Sequence, residues 1–187
     1  TPAEEKKYRI ANDPNGVQGA IRLAQPFPNR HHPDFQPVQV LNTLFGGFFG
    51  SRLMSNIRED KGYTYGIHSY ILNHISTTAW MVSTEAGRDV SEATIAEVYN
   101  EMKDLREELV DEEELQLVKN YLIGTILGDL DGPFHIIGRW KNLILNGLDE
   151  QYFYKSVNII KNISAKELQE LANKYLLPEK FYELVVV

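Results

Sequence analysis

Three glycines within five positions, Gly46, Gly47 and Gly50, interrupt an apolar helical pattern, and a fourth, Gly62, stands directly before an alternating strand pattern. Glycine weakens a helix interior but allows positive φ and close approach of neighbouring backbone. The stretch Phe45–Tyr70, FGGFFGSRLMSNIREDKGYTYGIHSY, therefore breaks one helix and forms a short second one from about Ser51 to Lys61. It stops at Gly62 and enters a strand almost at once. Such a join fixes the Arg58 side chain close to the first strand side chains, Tyr63 and Tyr65. Any fold this chain adopts has to accommodate that juxtaposition.

The remaining pattern is read outward from this stretch. Residues 1–15 form a polar linker or N-terminal extension, with a short strand possible at Tyr8–Ala11, and residues 16–187 form a single domain. Asp13-Pro14-Asn15-Gly16 is a turn. Val17–Ala24 is a strand ended by Pro26 and Pro28. Pro33 and Asp34 open a helix whose face is Val38, Leu41, Leu44, Phe45 and Phe48, at three- and four-residue steps. Thr64–Asn73 and Thr77–Ala86 alternate as two strands of an antiparallel hairpin, turning at Asn73–Ser76.

The rest is helical. Asp89-x-x-Glu92, Asp111-x-x-Glu114 and Ser164-x-x-Glu167 each have the form of a capping box. The first helix runs to about Glu108 and the second to about Gly128. After the Gly132-Pro133 break come helices at Phe134–Leu145, Tyr152–Lys161 and Glu167–Leu176. A β-branched strand at Phe181–Val187 closes the chain. Strands followed by helices predict an α+β fold of two layers, a mostly antiparallel sheet with helices packed on one face.

Several function classes are excluded by composition. A chain of 187 residues with 43% hydrophobic and 24% charged residues fits one globular domain able to bury roughly two-thirds of its unfolded surface. The net charge of -7 is the wrong sign for a generic phosphate-backbone binder. The absence of cysteine removes disulfides, thiolate metal sites and cysteine nucleophiles. No apolar run reaches the ~20 residues of a membrane helix. The chain opens at Thr1 without a signal-peptide core, and is expected to be a domain of a longer polypeptide or a processed chain.

None of the five histidines (His31, His32, His68, His74, His135) lies in H-E-x-x-H or H-x-x-E-H, so no metal ligands are assigned here. Gly46-Gly47-x-x-Gly50 follows a helix and lacks a lysine-serine, so it is read as a helix break that allows close packing and not as a phosphate loop. Asp111–Glu114 is a negative first helical turn. Asn162-Ile163-Ser164 fits a glycosylation sequon, but Ser164 is read as a helix cap. Phe48, Phe49, Trp80, Trp140, Tyr152 and Phe153 have core-like spacings.

Arg58 and Tyr65 stand apart from these. A permanently charged fork of donors beside a neutral phenol donor suits the grip of a carbonyl oxygen that becomes negative in a tetrahedral intermediate. The residues alone favour an Arg58–Glu59 or Arg58–Asp60 surface pair, with Tyr65 an ordinary strand aromatic.

Gly46-Gly47-x-x-Gly50-Ser51-Arg52-Leu53 followed by Arg58-Glu59-Asp60-Lys61-Gly62-Tyr63-Thr64-Tyr65 resembles the C-terminal domain of the pitrilysin/insulinase metallopeptidases, a family that includes the mitochondrial processing peptidases. Val17-Gln18, His32-Pro33-Asp34, Leu41-Asn42 and Glu112-Glu113-Glu114-Leu115 with Lys119 extend the similarity over nearly the whole chain. The resemblance implies the metallohydrolase fold of the processing-peptidase type, the half without metal ligands. It implies zinc, H-x-x-E-H and the general-base glutamate in a homologous N-terminal domain or subunit, the companion of this one. It implies a peptide substrate near whose scissile bond Arg58 and Tyr65 act as substrate-binding and oxyanion residues, while Tyr63, set aside on strand parity, packs. This chain alone would bind no metal and hydrolyse nothing. A structural or peptide-binding role without catalysis is the alternative. The style is bacterial, with cytoplasm or periplasm the expected compartment.

Overall fold

The structure, a computed structural model, describes residues 5–75 and 77–187. The first four residues of the extension and Ser76, at the end of the expected hairpin turn, lie outside the described residues.

The elements in order are β1 (Lys7–Ile10), β2 (Gln18–Pro26), α1 (Phe35–Asn42), two π-helical segments (Thr43–Gly47 and Met54–Asp60), β3 (Thr64–Asn73) and β4 (Thr78–Gly87). Then follow α2 (Ser91–Glu107), α3 (Glu112–Gly128), α4 (Pro133–Leu145), α5 (Glu150–Asn162), α6 (Ala165–Tyr175) and β5 (Tyr182–Val186). The sheet has the order β1-β5-β2-β4-β3. Every neighbouring pair is antiparallel except β1 with β5. This is the expected α+β architecture with a mostly antiparallel sheet. β2 runs past the expected end at Ala24 because Pro26, at the last position, needs no N–H for its pairing with Ala79.

Alternation along the strands decides which side the helices cover. Ile21, Leu23 and Gln25 of β2, Ile67 and Ser69 of β3, and Trp80, Val82 and Thr84 of β4 are all buried under the helical layer. The intervening Arg22, His68, Ser83 and Glu85 face the other way. Trp80 anchors the core, with Phe27 and Phe45 set edge-on at 5.6 and 6.4 Å. Its indole N–H donates to Ser69 Oγ at 2.8 Å, and Ser69 donates to Asn42 Oδ1 at 2.7 Å. A buried polar chain thus ties α1 to the two strands.

Gly46 explains the glycine break. A β-carbon there would lie 2.7 Å from Ser69 Cβ and 2.9 Å from its backbone nitrogen. Only glycine lets the first π-helical segment come this close to β3. Gly62 (φ +64°) and Gly147 (φ +64°) end their helices in left-handed conformation.

Of the three capping boxes one is complete. Ser164 accepts from the Glu167 N–H while Glu167 accepts from the Ser164 N–H at 2.9 Å. Asp111 caps α3, but Glu114 turns away to Arg52. At α2 the box is absent: the cap position is Val90, and Glu92 binds Arg9 at 2.5 and 3.0 Å. A bidentate guanidinium partner offers the carboxylate more than a backbone N–H does. Asp34 sits at the start of α1 without capping it, accepting instead from Lys174 (2.5 Å) and Tyr175 (2.7 Å) in α6. Phe49 and Trp140, expected in the core, are exposed.

Glu183 in β5 is 2% exposed yet charged, held by Arg9 (2.6 Å), Tyr99 (2.7 Å) and Lys7 (3.2 Å). Burial pushes its pKa up, but the hydrogen bonds from Arg9, Tyr99 and Lys7 together outweigh it and hold the carboxyl below its ordinary range. The depressed value means that its stabilisation is present above the unfolded carboxylate pKa of ~4.3 and lost as pH falls through the folded one. Glu183→Gln should destabilise the fold by about 3 kcal/mol at pH 7, with the difference from wild type shrinking below pH ~5 in urea titrations. In the same assay Gly46→Ala should cost about 1–3 kcal/mol, because the added carbon meets backbone. Gly124→Ala, in α3 with open space around it, should instead stabilise by about 0.5–1 kcal/mol.

Candidate functional site

Arg58 reaches its place through the second π-helical segment. Its wider turn closes with Lys61 N–H donating to Asn56 O and Tyr63 N–H donating to Ile57 O, both at 3.0 Å. Gly62 then reverses the chain, so the Arg58 side chain folds back over the start of β3. Arg58 Nε donates to the backbone oxygen of Tyr65 at 2.9 Å. The guanidinium lies 4.9 Å from the Phe49 ring and 5.9 Å from the Tyr65 ring, within cation–π range of both. Its Nη1 also meets the Glu59 carboxylate. The ion pair and the approach to Tyr65, alternatives in the sequence, are both present.

Tyr65 is 94% exposed. Two residues away on either side, Tyr63 packs against the core and Ile67 is buried in it. Strand parity does not separate Tyr63 from Tyr65, because both stand an even number of residues from Ile67. A bulge does. The register slips between Thr64, opposite Ala86, and Ile67, opposite Thr84, and this turns Tyr65 outward. Hydroxyls fasten the bulge: Thr64 Oγ1 donates to Glu85 O (2.6 Å), accepts from Gly66 N–H (3.1 Å), and lies 2.8 Å from Thr84 Oγ1, which also reaches Gly66 O at 2.9 Å. Thr64 and Thr84 are positioning residues that the sequence reading missed. Gly66 inside a strand was the available signal.

Beside Tyr65 the helix-free face of the sheet is hollowed into an open concavity of about 650 Å³. Gln18, Arg22, His68, Ser83 and Glu85 line it with Tyr65. Arg22 Nη1 donates to the backbone oxygens of Ile21 (2.8 Å) and Thr84 (3.0 Å). Behind the site, Arg52 donates to both Glu114 oxygens at 2.8 Å in a half-buried bidentate pair. The hydrogen bonds to Glu114 raise the Arg52 pKa further above its ordinary value. Asn56 donates to Glu101 at 2.7 Å, and burial holds the Glu101 carboxyl above its ordinary range. These contacts pin the π-helical segment to α3 and α2.

Such a site can donate hydrogen bonds and stabilise negative charge on a ligand oxygen. Among the described residues no group of three or more His, Asp or Glu could hold a metal ion, so zinc does not fit the residues present here. No helix among them is long and apolar enough to cross a membrane.

Comparison with known proteins agrees with the fold. The sequence pattern of the family described as "Peptidase M16 inactive domain" matches residues 1–122. An uncharacterized zinc protease of Rickettsia bellii is 26% identical over 149 residues, 80% of this chain and 30% of its own length. A non-peptidase homolog of Helicobacter pylori is 28% identical over 146 residues, 73% of this chain and 32% of its own length. The chain thus spans about a third of the curated relatives it matches. The crystal structure of a peptidase M16 inactive domain from Pseudomonas fluorescens superposes with a TM-score of 0.87 at 25% identity, over 99% of this chain and 44% of that one. On the family pattern, the relatives and the shared fold together, the chain belongs to the peptidase M16 inactive domain family.

Proposed function

We propose that the chain is the substrate-binding half of a zinc-dependent endopeptidase or oligopeptidase, with Arg58 and Tyr65 as its oxyanion and substrate-positioning pair. The observation that carries this reading is the Arg58 Nε bond to Tyr65 O, which holds a charged fork beside a phenol turned out to solvent at the rim of the concavity. Donors already held in place lose little reorganisation when charge develops on a bound carbonyl oxygen. The zinc, H-x-x-E-H and the general base belong to a homologous N-terminal domain or subunit, so the isolated chain is inactive. The naming of relatives as zinc proteases supports that assignment.

Within this division of labour the chain's own residues bind and orient. The Arg58 guanidinium and the Tyr65 hydroxyl meet the substrate carbonyl, Thr64 and Thr84 keep the bulge that aims Tyr65, and the Phe49 ring lies 4.9 Å from the guanidinium. In the intact protein Arg58→Ala or Tyr65→Phe should lower peptide kcat/KM by about tenfold to a thousandfold, the scale of one oxyanion donor. Thermal melting should be nearly unchanged. Wild-type turnover in both variants would overturn the assignment.

A second reading is a non-catalytic structural or peptide-binding subunit. The Arg58–Glu59 contact and the non-peptidase name of the Helicobacter pylori relative favour it. The two separate on one measurement, zinc content and peptidase activity of the full-length protein beside this fragment. Metal and activity confined to the full-length form support the peptidase, and absence of both supports the scaffold.

A further inference from the structure

α4 carries apolar side chains over most of its surface, with His135, Arg139 and Asn142 on one side and Lys141 between Phe134 and Ile137, and yet it is hardly buried. One stripe, with Trp140 and Leu143, turns toward α5, and of the whole helix only Leu143 is buried, at 8% exposure. Adjoining this stripe and running round to the far side are Ile144, Ile137, Phe134 and Leu145, exposed at 69, 62, 87 and 59%. Leu127 at the end of α3 and Tyr154 in α5 widen the exposed area.

An apolar helix face is normally packed against a partner, and a helix of ~13 residues is marginal without packing. Contiguous apolar surface of this kind marks an interaction site. It is separate from the Arg58–Tyr65 pair: Arg30 joins α4, through Asn142 at 3.1 Å, to the β2–α1 loop, and the β3–β4 hairpin end at Asn73 lies against Arg30. Tyr65 stands at the other end of the ten-residue β3, about 25 Å away at 3.3 Å per residue.

We infer that the outer face of α4 is the seat of the companion domain of the same protein, which covers Phe134, Ile137 and Ile144 with an apolar surface of its own. Two observations choose this occupant. The similar Pseudomonas fluorescens chain is more than twice the span that this chain matches, so proteins of this kind carry as much folded chain again. On and beside the face Lys141 is a lone lysine and Arg139 is paired with Asp129 at 2.7 Å, while Asp131, Asp149 and Glu150 follow in the adjoining turns, so it lacks the basic rim with which a surface helix engages anionic lipid. The inference rests on the proposed function only for the existence of a companion domain, and not for peptide hydrolysis.

Since this chain has no cysteine, single thiols test the idea directly. In full-length protein with any other cysteine replaced by serine, Ile137→Cys and Ile144→Cys should react with a maleimide at least ~10-fold more slowly than Lys166→Cys, an exposed position at the start of α6, and reach its rate once the protein is unfolded in urea. Native rates equal to that of Lys166→Cys at both positions would overturn the inference. Protection that disappears on dilution would assign the face to a second copy instead. Protection that appears only with phosphatidylglycerol vesicles would assign it to a membrane. Each readout is independent of peptidase activity, so an inactive but protected protein separates this inference from the proposed chemistry.

Discussion

The approach of Gly46 to Ser69 is the contact on which the arrangement of the molecule depends. Without a side chain at 46, the first π-helical segment meets the β3 backbone directly, and the Asn42–Ser69–Trp80 chain of hydrogen bonds closes beneath it. A wider separation would leave buried donors unpaired, which is costly in a dry interior. The second π-helical segment inherits this position. Arg58 can meet the Tyr65 backbone only because the segment that carries it is held that close to the start of β3.

Around this contact the polar groups divide into two sets with different tasks. Glu183 with Arg9, Tyr99 and Lys7, and Arg52 with Glu114, join elements far apart in sequence, with Glu183 buried and the Arg52–Glu114 pair partly so. They make the frame rigid and specify how the helical layer sits on the sheet edge. Arg58, Tyr65 and the side chains of the concavity lie at the surface, with the Tyr65 ring turned to solvent. A rigid support beneath exposed, aimed donors is the condition under which a binding site stabilises charge without rearranging.

Much of this was legible in the sequence, and the errors share a cause. The ends of α3, the stops at Gly62 and Gly147, the Ser164 box and the hairpin strands follow from dihedral preference and periodicity, which act within a few residues. The expected boxes at Asp89 and Asp111 failed because their glutamates found arginines 83 and 62 residues away. Asp34 starts α1 as expected but leaves it uncapped for the same reason, its carboxylate drawn to Lys174 and Tyr175. Phe49 and Trp140 have core-like spacing, but spacing cannot say whether a partner surface exists on the side a helix presents. In one case that surface is a guanidinium.

That Arg58 and the first residues of β3 lie near one another was determined by the sequence itself, because Gly62 stops the helix and a strand follows at once, while the bond from Arg58 to the Tyr65 backbone needed the tertiary approach of Gly46 to Ser69. Which tyrosine faces outward was decided only by the tertiary structure. Tyr63 and Tyr65 are equivalent under a two-residue repeat, and the bulge that separates them exists because Thr64 and Thr84, on different strands, share their hydroxyls with Gly66. A cross-strand hydrogen bond has no signature within either strand alone.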